Sequence, residues 1–441
     1  MNFEEYFNQN LGDLIEILKI KSIYDEKSVS LDMPYGKGVY DALLFMSNLA
    51  TKDGFEVTNY DNKVISFEIG SGDRRIDIAS HLDVVFAKDE DFNIRVENGN
   101  LYGRGTSDMK VPMFLTYLSL KALREKYPNI NKRIRIVLGS DEERTMEDMK
   151  HYVSIAGLPD FAFTPDGFFP MGIGEKGAIM WTIKGQYNGI VEKLEAGYQC
   201  NIVSPLAKCV INDTDISKVN DYILQNNIDG SAVLNENKIE ITIKGVASHA
   251  SVPFLGHSAT TDLLKLISEL YNDEIITNLY KTYGDYFGRG FNSFVSDDVM
   301  LCLTNNLGIL KIENNKVFGQ VDCRYPFGQN ANDLTNRLKE VSLLDVTLDY
   351  NDDSTQCDED DIYVKTMLDT YRSITNDHSR PIISGGVSYS KVFKHSVSFG
   401  PTSLNKPNLA HQEGEYVSMQ DIYEWFKIYY VVIEKLILLE A

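Results

Sequence analysis

"RIRIVLGSDEERTMEDM", residues 133–149, decides the fold and raises the functional question together. Its first half is β-rich, and the apolar run stops abruptly at three consecutive acids, Asp141, Glu142 and Glu143. Carboxylates this close repel and raise one another's pKa unless water, a helix N-terminus or a cation relieves them. Working outward, "KVISFEIGS" (63–71) and "RRIDIASHLDVV" (74–85) are also β-rich, while "MKVPMFLTYLSLKALREKY" (109–127) carries apolar residues at helical spacing. Alternating strands and helices predict an α/β sheet flanked by helices.

A chain of 441 residues is too long for one ordinary core, so two domains are expected. From about Trp181 the texture changes to strands with long helices, "SATTDLLKLISELYNDEIITNLYKTYG" (258–284) among them. The acid run "DYNDDSTQCDEDD" (349–361) then reads as a solvated loop or linker leading back to helical sequence. A second domain of α+β type inserted into the first follows, with boundaries at 1–179, 180–356 and 357–441.

The formal charge of −21 and the pI near 4.8 disfavour a broad grip on nucleic acid or anionic membrane, which needs basic patches. The N-terminal stretch is acidic and amphipathic, without the layout of a signal peptide. The most apolar tail, "YYVVIEKLILLE" (429–440), is too short to span a bilayer and is interrupted by Glu434 and Lys435, so a cytoplasmic location is expected. Five scattered cysteines without a CxxC pair argue against structural disulfides or a thiolate zinc site.

Five stretches place acids or histidines where strands end. In "SHLDVV" (80–85), His81 and Asp83 are two apart and would share a face of a strand. "YGRGTSDMK" (102–110) delivers Asp108 from a Gly-rich turn to the start of a helix, and the acid triplet follows. "FAFTPDGFFP" (161–170) stops at Asp166, and "NLAHQEGEYVS" (408–418) holds His411. Singly, each has a structural explanation: Asp108 as a helix cap, Glu142 and Glu143 in a first helical turn, Asp166 in a turn, the histidines as packing residues. Together they point to a site, because ligands in open α/β sheets gather at the carboxyl ends of strands.

The order HxD, GRGTSD-K, acid triplet, strand ending in PD, and HQ-x-x-E resembles the di-metal peptidase and amidohydrolase family. That family includes PepV-type bacterial dipeptidases, aminoacylases, carboxypeptidase G and succinyl-diaminopimelate desuccinylase. "GEKGAIMWTIKGQ" (174–186) and "GVASHASVP" (245–253) fit as well, and the long insertion looks most like the PepV-type dipeptidases. The resemblance implies a catalytic domain with a helix-flanked mixed β-sheet of the zinc-peptidase type, interrupted by a lid domain. It implies that His81, Asp108 and Asp166 hold one divalent metal ion and Asp108, Glu143 and His411 a second, with Asp108 bridging. Asp83 would hydrogen-bond His81 and fix its tautomer. Glu142 would be the general base of dipeptide amide hydrolysis, N-acyl amino acid amidase or desuccinylase activity being the alternative and a non-catalytic peptide-binding homologue a further one. Two divalent cations outweigh the three ligand carboxylates by one positive charge, which a metal-bridging hydroxide would neutralise. Zinc is the default for the family, and the ligand types also suit manganese or cobalt.

His249 matches the family's oxyanion-stabilising histidine from the inserted domain, although a polar loop histidine is its plain reading. Arg324, in "VFGQVDCRYPFG" (317–328), would grip a substrate carboxylate; a cross-strand ion pair is the alternative. Asn201 resembles a substrate-contacting asparagine, and Gly385 and Gly386 of "SGGVSYS" (384–390) look like a loop offering backbone N–H groups to that carboxylate. His257 is unassigned, and His151, His378 and His395 match no motif. Hinge motion about Gly177 and Asp358 would complete the site, and the insertion is long enough to replace a partner's lid, so a monomer is expected.

Overall fold

Side by side in one sheet lie the runs that end in acids. The computed structural model describes residues 1–297, 300–403, 406 and 409–440, and the chain divides into two compact units, 1–174 with 356–441 and 175–355. In the first unit the sheet passes through Thr58–Tyr60, Val64–Ile69, Arg133–Gly139, Arg75–His81, Phe161–Thr164, Ser396–Ser398 and Gly172–Glu175. The four strands from Arg133–Gly139 to Ser396–Ser398 run parallel, and antiparallel neighbours flank them on both sides, so the sheet is mixed. Parallel pairing puts the carboxyl ends of those strands on a single edge, with His81 in register with Gly139.

The helix Lys110–Lys126 crosses between two of these strands. Every residue from Lys110 to Leu120 is buried, as expected of a helix apolar all round. It packs against the sheet and against the helices Phe3–Lys19 and Met419–Leu438, forming the main core. Its first residue is a fully buried lysine whose Nζ donates to Ile17 O (3.2 Å) and Ile20 O (2.8 Å), satisfying carbonyls at the end of helix Phe3–Lys19.

Among its described residues the second unit is an eight-stranded antiparallel sheet with four α-helices, Ile216–Gln225, Ala259–Leu270, Glu274–Tyr283 and Ala331–Val341, sharing one core. The long helical stretch at 258–284 is two helices. Asp273 ends the run between them, because its carboxylate caps the second helix at Ile276 N (3.0 Å) while also accepting from Ile190 N (3.2 Å). The acid run beginning at Asp349 is only partly loop: Asp345–Asp352 forms the edge strand paired with Gly177–Gln186. An edge strand has one side open to water, so charges are tolerated there and discourage pairing with other chains. Further on, Asp361 caps the helix Ile362–Thr375.

All five cysteines are free, and among the described residues no helix is long and apolar enough to cross a membrane. Leu118 is fully buried in the central helix, so Leu118→Ala should lower the unfolding free energy by about 2–5 kcal/mol, measured by urea denaturation.

Candidate active site

The carboxyl ends of three adjacent parallel strands deliver His81 and Asp83, Glu142 and Glu143, and Asp166 to one place. His81 is fully buried, with Nε2 at 3.2 Å from Asp108 Oδ1, 3.6 Å from Asp166 Oδ2 and 3.9 Å from Glu142 Oε2. On the other side of Asp108, Oδ2 lies 3.0 Å from His411 Nε2, which is 3.2 Å from Glu143 Oε1. The structure therefore brings two triads together, His81–Asp108–Asp166 and Asp108–Glu143–His411, and Asp108 belongs to both. Glu142 stands beside them and in neither.

The tautomer of His81 follows from its partner. Nδ1 lies 2.9 Å from the backbone carbonyl of Asp83, which can only accept, so Nδ1 carries a hydrogen and Nε2 is the nitrogen that faces the acids. The expected partner was the Asp83 carboxylate. That group is 3.5 Å away at Oδ1, and its other oxygen accepts the Glu143 N–H (3.1 Å), so Asp83 positions both the imidazole and the acid triplet.

The electrostatics are those of a cluster short of positive charge. Among the described residues, Asp108, Asp166 and Glu143 pair with histidines and with no lysine or arginine. Burial, then the neighbouring acids, push Glu142 well above the ordinary carboxylate range, and Glu143 and Asp166 are raised as well, chiefly by burial. Burial alone would lower His81, but Asp108, Asp166 and Asp83 hold it well above its usual value; Asp108 and Glu143 push His411 up to about 10. Burial opposes ionisation of Asp108, yet His411 and His81 keep it below its usual value. His81 Nε2 is buried and makes no hydrogen bond. An orphaned imidazole nitrogen facing three carboxylates, with imidazole and oxygen donors only, fits divalent cations of the zinc, manganese or cobalt type.

Two residues that carry no assigned role hold this arrangement. Glu415 is buried, and its Oε1 accepts Ser107 N (2.6 Å) and Asp108 N (3.2 Å) while Oε2 accepts Gly105 N (3.2 Å) and Arg104 Nη1 (2.7 Å). Arg104 also donates to Gln412 O (3.2 Å), so the turn carrying Asp108 is tied to the segment carrying His411. Gly105 has φ +87°, the left-handed region that glycine adopts without strain, which lets successive N–H groups converge on Glu415. Both letters stand inside quoted motifs, GRGTSD and HQ-x-x-E, but nothing local signals that they pair.

The glycine loop follows strand Ile382–Ser384, and the N–H of Gly386 donates to Ser384 Oγ (2.9 Å), so that donor is engaged. In the second unit, Asn201, His249 and Arg324 lie on connected segments. Ala250 N donates to Asn201 O (2.9 Å), and Thr304, paired across the sheet with Arg324, donates from Oγ1 to Ala250 O (2.9 Å). Asn306 Nδ2 donates to Cys200 O (2.9 Å) and Ile202 O (3.1 Å), bracketing Asn201. Thr304 and Asn306 were not singled out in the sequence; alternation along the strand is the only signal that they share a face. Arg324 donates from Nε and Nη2 to Asp322 Oδ1 and Oδ2 (2.7 and 2.8 Å), so the ion-pair alternative is present, along one strand rather than across two. His249 Nδ1 accepts from Ser251 N (3.2 Å), which leaves the ring hydrogen on Nε2. Burial, then the Arg324 charge, lower its pKa, so it is a neutral N–H donor. Elsewhere, His151, His257 and His395 pair with Asp61, Asp262 and Asp361.

Two imidazoles and two further carboxylates stand around one shared aspartate on the carboxyl edge of a mixed α/β sheet, a donor set that suits a pair of divalent cations. Comparison with known proteins makes that specific. The sequence pattern of Peptidase family M20/M25/M40 matches residues 78–435. A putative dipeptidase of Staphylococcus epidermidis is 30% identical, with 96% of each chain covered. The Beta-Ala-Xaa dipeptidase of Lactobacillus delbrueckii subsp. lactis is 27% identical, with 97% of each covered. The chain belongs to peptidase family M20/M25/M40. Its fold is shared with human carnosine dipeptidase 1 (TM-score 0.59, 13% identity, 99% of this chain and 98% of that one). It is shared too with aminoacylhistidine dipeptidase from Vibrio alginolyticus (TM-score 0.57, 15% identity, 96% of each).

Because the neighbouring acids raise both His81 and His411, an imidazole nitrogen of theirs that took up a metal ion would have to give up a proton. Adding zinc to metal-free protein in weak buffer near neutrality should release protons, and metal affinity should fall as pH is lowered; a pH-stat titration measures both. Asp108→Ala should reduce metal content more than His411→Ala, read by elemental analysis.

Proposed function

We propose that the chain hydrolyses the amide bond of dipeptides, with Glu142 as general base. The observation that carries this reading is the pair of triads sharing Asp108 with Glu142 alongside but outside both. The dipeptidase names of relatives that match nearly the whole chain support the substrate class. His81, Asp108 and Asp166 would hold one divalent cation and Asp108, Glu143 and His411 the other, zinc by default with manganese or cobalt as alternatives. Such ions supply Lewis acidity for the scissile carbonyl and acidify a water from about 15.7 towards 7.

The rest is done by the chain's own groups. A Glu142 carboxylate oxygen takes the proton of the attacking water and returns it to the leaving nitrogen. His249, neutral with its hydrogen on Nε2, donates to the oxygen that becomes an oxyanion. Arg324, its guanidinium oriented by Asp322, binds the substrate carboxylate; Asn201 adds a polar contact, and the Gly385–Gly386 loop backs the substrate. The 175–355 unit serves as the lid.

Glu142→Ala should lower kcat by roughly 10²–10⁴-fold while metal content stays unchanged. Arg324→Ala should raise KM for unblocked dipeptides more than it lowers kcat. A substrate panel decides the class: hydrolysis of N-acylated amino acids alone, with free dipeptides untouched, would replace the dipeptidase reading by an amidase one.

A further inference from the structure

One buried carboxylate near the site has no part in either triad. Asp148 is fully buried in the first turn of helix Glu147–Ala156. Its Oδ2 accepts two consecutive backbone donors at the end of strand Arg133–Gly139, Ser140 N (2.5 Å) and Asp141 N (3.1 Å), together with the hydroxyl of Tyr389. Tyr389 is itself fully buried and lies 241 positions further along the chain, just after the glycine loop. Its ring meets the His81 imidazole edge-on, with centroids 6.2 Å apart and planes at 89°.

The approach of these groups to the strand is close enough to dictate a residue type. A Cβ added at Gly139 would lie 2.2 Å from the Tyr389 hydroxyl and 2.4 Å from Asp148 Oδ2. Glu142 is thus bracketed. The two peptides before it are held by Asp148, and the N–H after it is held by Asp83 Oδ2 at 3.1 Å. Asp83 also touches His81, whereas Asp148 and Tyr389 touch none of the five proposed metal ligands through a hydrogen bond, so their contacts reach the turn before Glu142 and not the two triads.

From this we infer that Asp148 and Tyr389 form a positioning pair for the general base, aiming Glu142 through the N–H groups of Ser140 and Asp141. The inference rests on the reading of Glu142 as base. Buried hydrogen bonds to consecutive N–H groups hold a turn in one geometry, and a base displaced by a fraction of an ångström loses rate, not substrate.

The experiment is a cycle on the full-length, metal-loaded protein with a hydrolysable dipeptide: Tyr389→Phe, Glu142→Ala and the double variant, with Asp148→Asn as a second probe of the pair. Tyr389→Phe keeps the ring and its packing and removes only the hydroxyl. The expected result is a fall in kcat of roughly ten- to a hundredfold with KM and metal stoichiometry unchanged, and no further fall when Tyr389→Phe is added to Glu142→Ala. Asp148→Asn should reproduce the kcat loss. Unchanged kcat in Tyr389→Phe, an equal further loss in the Glu142→Ala background, or a parallel loss of metal would overturn the pair's role. Full activity in Glu142→Ala, by contrast, removes the base reading itself.

Discussion

Everything in the first unit is arranged around the cost of gathering acids where solvent is scarce. Asp108 presents one oxygen to each of two imidazoles, and Glu143 and Asp166 close the two triads with no lysine or arginine in reach among the described residues. In low dielectric, carboxylates so placed either take up protons or require cations, and the raised values of Glu142, Glu143 and Asp166 together with the two raised histidines express that requirement in the metal-free chain. Parallel pairing of the central strands creates the crowding, because it sends successive strand ends to the same edge.

Holding such a cluster in place needs scaffolding that is itself acidic. Glu415 gathers the N–H groups of the turn before Asp108, Asp83 holds Glu143 N and His81, and Asp148 holds the turn before Glu142. A carboxyl group can accept several N–H groups at once, so each such residue stiffens a loop; burial nevertheless raises Glu415 and pushes Asp148 up to about 7. The acid triplet that ends the strand Arg133–Gly139 is therefore divided by role: Asp141 stays within its own turn, accepting from Thr145, while Glu142 and Glu143 face the cluster.

The second unit meets a different demand with different means. It presents neutral or positively charged donors, and its antiparallel sheet holds them through side chains on one face: Thr304 and Asn306 fasten the segments of His249 and Asn201 to the strand pair that carries Arg324. Ser251 sets the ring of His249 with its hydrogen on Nε2, and Asp322 takes two donors of Arg324. The acid run 349–361 reads as a linker although its first residues, 349–352, end the edge strand Asp345–Asp352, because an edge exposed on one side can carry as many acids as a loop; pairing with Gly177–Gln186, invisible in composition, makes it a strand.

What the sequence determined by itself was the list of chemical groups and the places where chain direction changes. Apolar runs stopped by His81, the acid triplet and Asp166 announced strand ends, and the helical period after Asp108 announced the crossover, because hydrophobic periodicity is a local property. Only the tertiary structure decided which groups meet. The pairing of Arg104 with Glu415 and the contact of Tyr389 with Asp148 depend on packing between segments hundreds of positions apart, and the choice of the Asp83 carbonyl over its carboxylate as partner of His81 depends on how the chain turns at the strand end. Hydrogen bonds select partners by distance and direction in space, and neither is written in the order of residues.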